Sequence, residues 1–302
     1  MGNQISQMFP PTPAFTESSL PAGSLKDKVF IVTGASAGVG KELARLLYSL
    51  NGTVYLAARS KERASAAISW IRSSHPQSTG RLEFLYLELA DLESIKAAAE
   101  TFLSKEKRLD VLFNNAGVMI PPQGSTTKQG YELQLGTNCL GHFLFTQLLT
   151  PLLLSTASQT PKFSTRVVWV SSSAVMGAPT GGVDLNNLTY NTDKFAFQKY
   201  AVSKAGNVLH ALEYRRRYED KGILSVSLNP GNLNSELSRH SGWLGQLIVR
   251  LITYPSVNGA YTEFFAGLAD EVSDLAGNEW GELFSFLVFF CMGGGGLVLF
   301  VC

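Results

Sequence analysis

The chain has few cysteines and histidines, and neither type is grouped. Its three cysteines form no CxxC pair, so the sequence indicates neither a disulfide framework nor a zinc site. The four histidines lack the spacing of metal ligands, and no metal is predicted. A reducing, cytoplasmic compartment is therefore expected. These residues are Cys139, Cys291, Cys302, His75, His142, His210 and His240.

An excess of charge of either sign is also missing. The 302 residues include 25 Lys and Arg against 24 Asp and Glu, with no long basic run. Aromatic and basic residues are not interleaved, so a nucleic-acid partner is not expected. The length is ample for a sizeable hydrophobic core.

The N-terminal segment lacks the apolar run that a secretory signal needs. Residues 1–24 contain four prolines and are predicted to form an irregular arm. Met1–Ser6 matches the pattern for myristoylation at Gly2, although so short a pattern also arises by chance. No basic cluster follows it, so a single acyl chain would hold a membrane only marginally.

A strand, a glycine-rich turn and a helix come next. Val29–Val32 is a short apolar strand, and four leucines between residues 43 and 50 form one apolar helix stripe. The glycines between them would let the backbone approach a pyrophosphate, at a helix N-terminus with unpaired N–H groups. The spacing is TGxxxGxG rather than GxGxxG, and an ordinary glycine-rich turn stays the alternative. The candidate dinucleotide-binding residues are Gly34, Ser36, Gly38, Val39 and Gly40.

The second strand, Thr53–Ala58, is followed by Arg59, nineteen residues after Gly40. An acidic residue near this position would hold a ribose 2′-hydroxyl, whereas a guanidinium suits a 2′-phosphate. Lys61 and Arg63 add positive charge nearby. We therefore predict NADPH rather than NADH, and the alternative is a solvated arginine at a strand end.

Strands alternate with helices through the rest of the chain. This alternation predicts an α/β fold, a Rossmann-type doubly wound parallel sheet in a single domain over residues 25–280. Small and amide residues at Asn115, Ala116 and Gly117 suit a backbone that passes close under a nucleotide. The further strands are predicted at Leu82–Leu89, Val111–Phe113, Arg166–Val170 and Ile223–Leu228, and the helices over Leu92–Lys105 and from about Tyr131.

Tyr200 and Lys204 lie four residues apart and would share one helix face. Bringing a phenol from a pKa near ~10 towards neutrality takes on the order of 4 kcal/mol. An exposed ammonium at ~4 Å supplies about 1 kcal/mol, and several-fold more where water is excluded. The pair is therefore chemically useful only inside a pocket, and a surface tyrosine and lysine at helical spacing is the alternative.

Residues 283–302 contain no charged side chain and are long enough to span a bilayer. Four consecutive glycines within them disfavour a helix by roughly 4 kcal/mol. Two explanations stay open for this apolar tail, residues 281–302. It is either a membrane anchor or the product of a read-through or mis-spliced gene model, and we favour the second.

Four motifs follow one another along the chain. They are the glycine turn, Asn114–Gly117, the strand that ends in Ser171–Ser173, and Tyr200–Lys204. In these motifs and in their order the sequence resembles the short-chain dehydrogenase/reductase family. The resemblance is strongest to its retinol-dehydrogenase-like branch and to fungal members. It covers about residues 25–277. An oxidoreductase that binds NAD(P)(H) is what this resemblance implies.

The resemblance also implies roles for single residues. Tyr200 would be the catalytic acid/base, and Lys204 would lower its pKa and hold the nicotinamide ribose. Ser172 would polarise the substrate carbonyl, and Asn138 would anchor the water of a proton relay. Further cofactor contacts are implied at Glu88, near the adenine, and at Pro230, Gly231, Leu233 and Ser235, near the nicotinamide and phosphates.

Three departures from the family pattern stand out. Ser172 and Tyr200 are 28 residues apart, which predicts an extended loop over the site from Gly177 to Lys199. Glu88 replaces the aspartate that is usual near the adenine. Members of this branch continue past Trp280 with a last strand and a polar segment, which the apolar tail replaces here.

The leading hypothesis is an NADP(H)-dependent oxidoreductase that interconverts a carbonyl and an alcohol. Apolar residues in the substrate segment, residues 232–262, favour a lipid, retinoid, steroid or polyketide-like substrate, although they could equally cover the core. The alternative is a catalytically silent nucleotide-binding or membrane-recruited scaffold. A homodimer, and membrane association through Gly2 or through residues 283–302, are left open by the sequence.

Overall fold

Six parallel strands form the central sheet of the protein, in the order β3-β2-β1-β4-β5-β6. The structure is a computed structural model and describes residues 12–231, 233 and 254–277. Five of the strands are buried along nearly their whole length, as parallel strands covered on both faces are, whereas the edge strand Arg81–Tyr86 is exposed at both ends. They are β1 Val29–Thr33, β2 Thr53–Ala58, β3 Arg81–Tyr86, β4 Val111–Asn114, β5 Thr165–Val170 and β6 Ile223–Leu228.

Helices cover both faces of this sheet. One face carries α1 (Gly38–Ser49), α2 (Lys61–Ser74) and α6 (Ser256–Leu268), whose apolar side chains share a core with Phe30, Val32 and Val168. The other face carries α3 (Leu92–Lys105), α4 (His142–Ala157) and α5 (Ala196–Tyr218) around Trp169. A short helix, α7 (Asp270–Gly277), follows α6.

The strand order reverses direction between β1 and β4. Chain connections leave these two neighbouring strands towards opposite sides of the sheet. In open α/β sheets such a reversal opens a crevice at the carboxyl ends of the strands, where ligands bind. The predicted doubly wound parallel sheet in a single domain is confirmed, and the crevice places the candidate site.

Some element boundaries differ from those predicted. The helix expected from about Tyr131 is a π-helix over Leu135–Gly141 that runs into α4. The strand predicted to reach Leu89 ends at Tyr86, since its pairing with β2 stops at Ala58. Helix α5 begins at Ala196, so the loop predicted to end at Lys199 is shorter. A 3₁₀ turn, Ser173–Gly177, leads into this loop, which holds another at Leu185–Asn187.

The N-terminal arm packs onto the domain within the part described. Phe15 contacts the rings of Phe264 and Phe265 on α6, with centroids 5.5 and 5.6 Å apart. Residues 17–19 form a 3₁₀ turn. Gly2, Ser235 and residues 283–302 lie outside the described residues.

One described segment, Leu135–Ala157, has the length and composition of a membrane-spanning helix. Half of its most apolar window is buried inside the domain. A buried core helix of this kind passes the same test of length and hydropathy. The segment is therefore weak evidence for membrane insertion.

Candidate functional site

The glycine turn forms an open cradle at the start of α1. Gly38 has φ +55°, and no atom of the described residues lies within 4 Å of the position a Cβ would occupy, so this side of the turn is open there. Gly40 is closely packed instead, since a Cβ there would lie 2.6 Å from Asn115 Nδ2. Helix α1 has no acidic residue in its first turn, and no side chain of the described ranges caps it. Its first N–H groups are therefore available to an anion.

The loop after β4 is tied directly to the end of β1. The Thr33 hydroxyl accepts hydrogen bonds from the backbone N–H groups of Asn115 and Ala116, each at 2.9 Å. The Asn115 side chain donates to the Thr33 carbonyl at 2.6 Å. A Cβ at Gly117 would lie 3.5 Å from Lys204 Nζ, so this loop lies beside the Lys204 ammonium. The two strand ends flank the crevice as one hydrogen-bonded unit.

Arg59 and Glu88 lie together at the other end of the crevice. Arg59 is exposed, and its guanidinium lies 3.8 Å from the Glu88 carboxylate. Glu88 also accepts a hydrogen bond from the Ala90 N–H at 3.1 Å. The cation predicted to meet a 2′-phosphate is thus paired, loosely, with the carboxylate predicted to lie near the adenine.

Tyr200 and Ser172 meet through their side chains. Their hydroxyl groups share a hydrogen bond although 28 residues separate them. Burial raises the pKa of Tyr200, and this hydrogen bond acts in the opposite direction. The protein groups alone therefore keep the phenol protonated at neutral pH, ready to donate a proton.

The neighbouring Ser171 has a different role. It is buried, and its hydroxyl donates to the backbone carbonyl of Lys204 at 2.8 Å. Of these two serines at the end of β5, the one chosen from the sequence, Ser172, is the one that contacts the phenol.

Lys204 is buried behind Tyr200. Its ammonium donates to the Val170 carbonyl at 2.9 Å and lies 5.8 Å from the centre of the Tyr200 ring. Burial lowers the pKa of Lys204 to about 8, and the Glu263 carboxylate acts in the opposite direction. Lys204 thus lies in a place from which water is excluded.

Asn138 lies within the π-helix and is fully buried. Its side-chain oxygen accepts from the Val118 N–H at 2.8 Å, and its amide donates to the Val118 carbonyl and the Ser203 hydroxyl. The amide hydrogens are thus fully used within the protein. Asn138 joins the loop after β4 to α5.

The segment after β6 borders the same crevice in the part described. Gly231 has φ +94°, no described atom lies within 4 Å of the position a Cβ would occupy, and its N–H donates to the Asn229 side chain at 3.1 Å. Leu233 lies against α6, since a Cβ at Gly259 would meet both Leu233 and Pro230. Ser235 lies outside the described residues.

Sequence reasoning missed three buried side chains near this site. Thr33 and His142 belong to the network around Asn115, and the threonine at the start of the glycine motif was a signal for the first. Glu263 on α6 is fully buried, and neither carboxylate oxygen has a hydrogen-bond partner among the described residues. Burial raises the pKa of Glu263 to about 8, while Lys204 lowers it. No sequence pattern marked His142 or Glu263.

Comparisons with known proteins agree on a family. The family model described as short chain dehydrogenase matches residues 28–242. A short-chain dehydrogenase/reductase from Phomopsis amygdali is 54% identical over 283 residues, 92% of this chain and 84% of that protein. Short-chain dehydrogenase/reductase pkfC from Emericella nidulans is 50% identical over 271 residues, 89% of this chain and 86% of that protein.

Solved structures share the fold. A 3-ketoacyl-(acyl-carrier-protein) reductase from Brucella melitensis, complexed with NADH, aligns with a TM-score of 0.63 at 19% identity, over 82% of this chain and 93% of that one. A metagenomic short-chain oxidoreductase in complex with NADP aligns with a TM-score of 0.55 at 23% identity, over 77% and 94%. At these identities the likeness is one of fold alone. With a family model over most of its length and two relatives of 50% identity or more, the chain belongs to the short-chain dehydrogenase/reductase family of oxidoreductases.

Proposed function

We propose that the protein is an NADP(H)-dependent oxidoreductase that interconverts a carbonyl and an alcohol on an apolar small molecule. The observation that carries this proposal is the contact between the Tyr200 and Ser172 hydroxyls, with the Lys204 ammonium buried behind them. These groups lie at the same edge of the sheet as the glycine turn. A proton donor, an oxyanion partner and a dinucleotide cradle therefore share one crevice.

The residues present fit a dinucleotide. The open space at Gly38 and the uncapped N-terminus of α1 suit a pyrophosphate. Lys204, beside Gly117, is placed to hold the hydroxyl groups of a ribose. When bound, the cofactor would supply the hydride and, in its oxidised form, a positive ring beside the phenol.

The protein would perform the proton chemistry. Tyr200 donates its hydroxyl proton to the substrate oxygen in reduction, and takes it back in oxidation. Ser172 holds the same oxygen through its hydroxyl. The Lys204 charge, in a region without water, favours the phenolate that is left after donation.

In this scheme Asn138 holds a neighbouring loop in position and does not react. Both hydrogens of its amide are occupied by Val118 and Ser203, so its side chain fixes the loop beside Lys204. A relay water would have to bind its backbone carbonyl rather than its amide. We therefore expect the proton path to run along the main chain of the π-helix.

Arg59 is the basis for proposing NADP(H). Structural neighbours of similar fold bind NADH in one case and NADP in another, so fold does not choose between them. The Arg59 guanidinium is exposed at the end of β2, and its contact with the Glu88 carboxylate is long at 3.8 Å. A 2′-phosphate would offer shorter, bidentate hydrogen bonds in exchange.

Exposed apolar side chains that are close in sequence to the catalytic groups support an apolar substrate. Met176, Phe197 and Ile120 are 58, 53 and 40% exposed. Met176 follows Ser172 by four residues, Phe197 precedes Tyr200 by three, and Ile120 follows Gly117 by three. A membership in the retinol-dehydrogenase-like branch would agree with such a substrate and stays a prediction.

The test combines cofactor binding with turnover. The purified protein should quench or enhance NADPH fluorescence on binding, and should oxidise NADPH with members of a panel of aromatic and long-chain ketones. Binding of NADPH without turnover on the whole panel would favour the scaffold hypothesis instead. Failure to bind either cofactor would refute both.

A further inference from the structure

His142 is a buried titratable residue that the proposed chemistry does not use. It is the first residue of α4, directly after the π-helix, and its side chain is fully buried. Both ring nitrogens are hydrogen bonded. Nδ1 lies 3.1 Å from the backbone carbonyl of Asn138, and Nε2 lies 3.0 Å from the Thr33 hydroxyl. The imidazole thus bridges the π-helix and the end of β1.

The partners determine the tautomer of this imidazole. A backbone carbonyl only accepts, so Nδ1 must carry the hydrogen. In the neutral ring Nε2 is then an acceptor, and the Thr33 hydroxyl must donate to it. The Phe113 carbonyl, 3.2 Å from the same hydroxyl, is the longer of its two possible acceptors.

This arrangement orients the Thr33 oxygen. With its hydrogen directed to His142, its lone pairs face the N–H groups of Asn115 and Ala116, which donate to it at 2.9 Å. One continuous chain of hydrogen bonds therefore runs from the Asn138 carbonyl to the loop after β4. That loop lies beside the Lys204 ammonium.

The ring stays neutral in this position. Burial lowers the pKa of His142 to about 3, and the Lys204 and His210 charges act in the same direction, against the hydrogen bond to Asn138. A protonated ring would also place an N–H against the donating Thr33 hydroxyl. The bridge therefore works without titration at any pH at which the protein would operate.

We propose that His142 is a positioning residue that, as its Nδ1–H tautomer, holds the Asn138 carbonyl and the Asn115–Ala116 backbone in fixed relation through Thr33. The bridge couples the loop of the dinucleotide site to the helix that carries the proton path. Its part in catalysis rests on the function proposed above, whereas the tautomer and the coupling do not.

The tautomer is tested on the protein itself. In ¹⁵N NMR of histidine-labelled protein, with His142→Phe to assign the signal, His142 should show a protonated Nδ1 and an unprotonated Nε2. Free imidazole side chains mostly adopt the other tautomer. The signal should not change between pH 5 and 8. An Nε2–H tautomer, or a titration in that range, would overturn the proposal.

The coupling is tested by variants that retain half of the bridge. His142→Phe keeps an aromatic ring but removes the hydrogen bonds to Asn138 and Thr33. It should weaken NADPH binding and lower kcat, each by about fivefold or more. His142→Asn keeps an amide donor near Nδ1 and should restore kcat more than binding. His142→Gln reaches the Nε2 position and should restore binding more than kcat. Equal loss of both quantities in all three variants, in step with Tm, would reduce His142 to a packing residue.

Thr33→Val completes a double-mutant cycle on NADPH affinity. Because the two residues act through one bond, the double variant Thr33→Val with His142→Phe should bind NADPH no more than about twofold more weakly than the weaker single variant. Fully additive losses would show that they act independently and would overturn the coupling. Wild-type protein that binds no NADPH would instead refute the proposed function, and the NMR result would still stand or fall by itself.

Discussion

At the scale of single residues, the site is built from side chains whose neighbours come from distant parts of the chain. Tyr200 and Lys204 could be chosen from the sequence because their spacing alone places them on one helix face. Ser172 could be chosen only through a family resemblance. The structure supplies the physical reason, since Ser172 contacts the phenol while the Ser171 hydroxyl is used by the Lys204 carbonyl.

Tyr200→Phe tests the assigned proton donor. The variant should reduce kcat by at least about a hundredfold, since positioned acid–base groups contribute roughly 10²–10⁴. NADPH affinity should stay within a few-fold, because the phenol oxygen is assigned to proton transfer rather than to cofactor binding. Tyr218→Phe, at the other end of α5, is the matched control and should leave kcat unchanged. A Tyr200→Phe variant with near-parental kcat would remove Tyr200 from this role.

Arg59→Asp tests the choice of cofactor. Charge-assisted hydrogen bonds to a 2′-phosphate are worth about 1.5–3 kcal/mol, so NADPH binding should weaken by roughly tenfold to a hundredfold. NADH should be used better, because a carboxylate can accept from the 2′-hydroxyl. The measurement is kcat/KM for both cofactors at one low salt concentration. Lys96→Glu on α3, an equal change of charge at an exposed site, is the control.

The cofactor assignment would fail in either of two ways. Wild-type protein that already prefers NADH would contradict it directly. A ratio of kcat/KM values that Arg59→Asp leaves unmoved would show that this guanidinium is only a solvated charge at a strand end.

At the scale of elements, the π-helix and α5 form the rear wall of the site. Gly206 on α5 allows the two to approach, since a Cβ there would lie 2.5 Å from Cys139 Sγ. Cys139 is buried, and its sulfur lies 3.0 Å from His210 Nε2. A helix was predicted here from about Tyr131, whereas the structure has a π turn where this contact and the bonds of Asn138 lie.

Gly206→Ala should destabilise the protein by about 1–3 kcal/mol through overpacking against Cys139. The gain of helix propensity, up to about 1 kcal/mol, is smaller than this. In a Cys139→Ala background the clash is removed, and the same substitution should be neutral or stabilising. Chemical denaturation of the four proteins gives the cycle. A loss of stability that is equal in both backgrounds would contradict the assigned contact.

At the scale of the whole molecule, the layers are joined by buried polar groups as well as by the two apolar cores. Arg166 on β5 is 2% exposed and donates to the carbonyls of Ala266 and Ala269. It thereby binds the end of α6 to the sheet. Glu263, nearer the start of α6, has no hydrogen-bond partner in the part of the chain that the structure describes. The end of α6 is thus hydrogen bonded to the sheet, whereas the same helix also carries a buried carboxyl group without a hydrogen bond from the described residues.

Glu263 should make folding stability fall as pH rises. The unfolded carboxyl ionises near pH 4.5, whereas burial raises the folded pKa to about 8, so the folded state binds more protons between these values. Each pH unit in that window is worth up to about 1.4 kcal/mol. The stability of Glu263→Gln relative to wild type should therefore increase from pH 5 to pH 8 and stay constant above pH 8.

The measurement is Tm or the free energy of unfolding for both proteins from pH 5 to pH 9. Glu62→Gln, at an exposed carboxyl, is the control and should not reproduce the trend, since the Glu62 pKa is lowered rather than raised. A difference between wild type and Glu263→Gln that is flat across this range would mean that Glu263 ionises normally in the folded protein.

The sequence by itself determined the alternation of strands and helices, the glycine turn and the Tyr200–Lys204 spacing, because each depends on residues near one another in the chain. β2, β6 and α3 were predicted with the boundaries observed. Only the tertiary structure decided what depends on distant contacts. The π turn at Asn138, the pairing of Arg59 with Glu88 and the buried positions of His142 and Glu263 all arise where separate elements meet, and no local pattern encodes such a meeting.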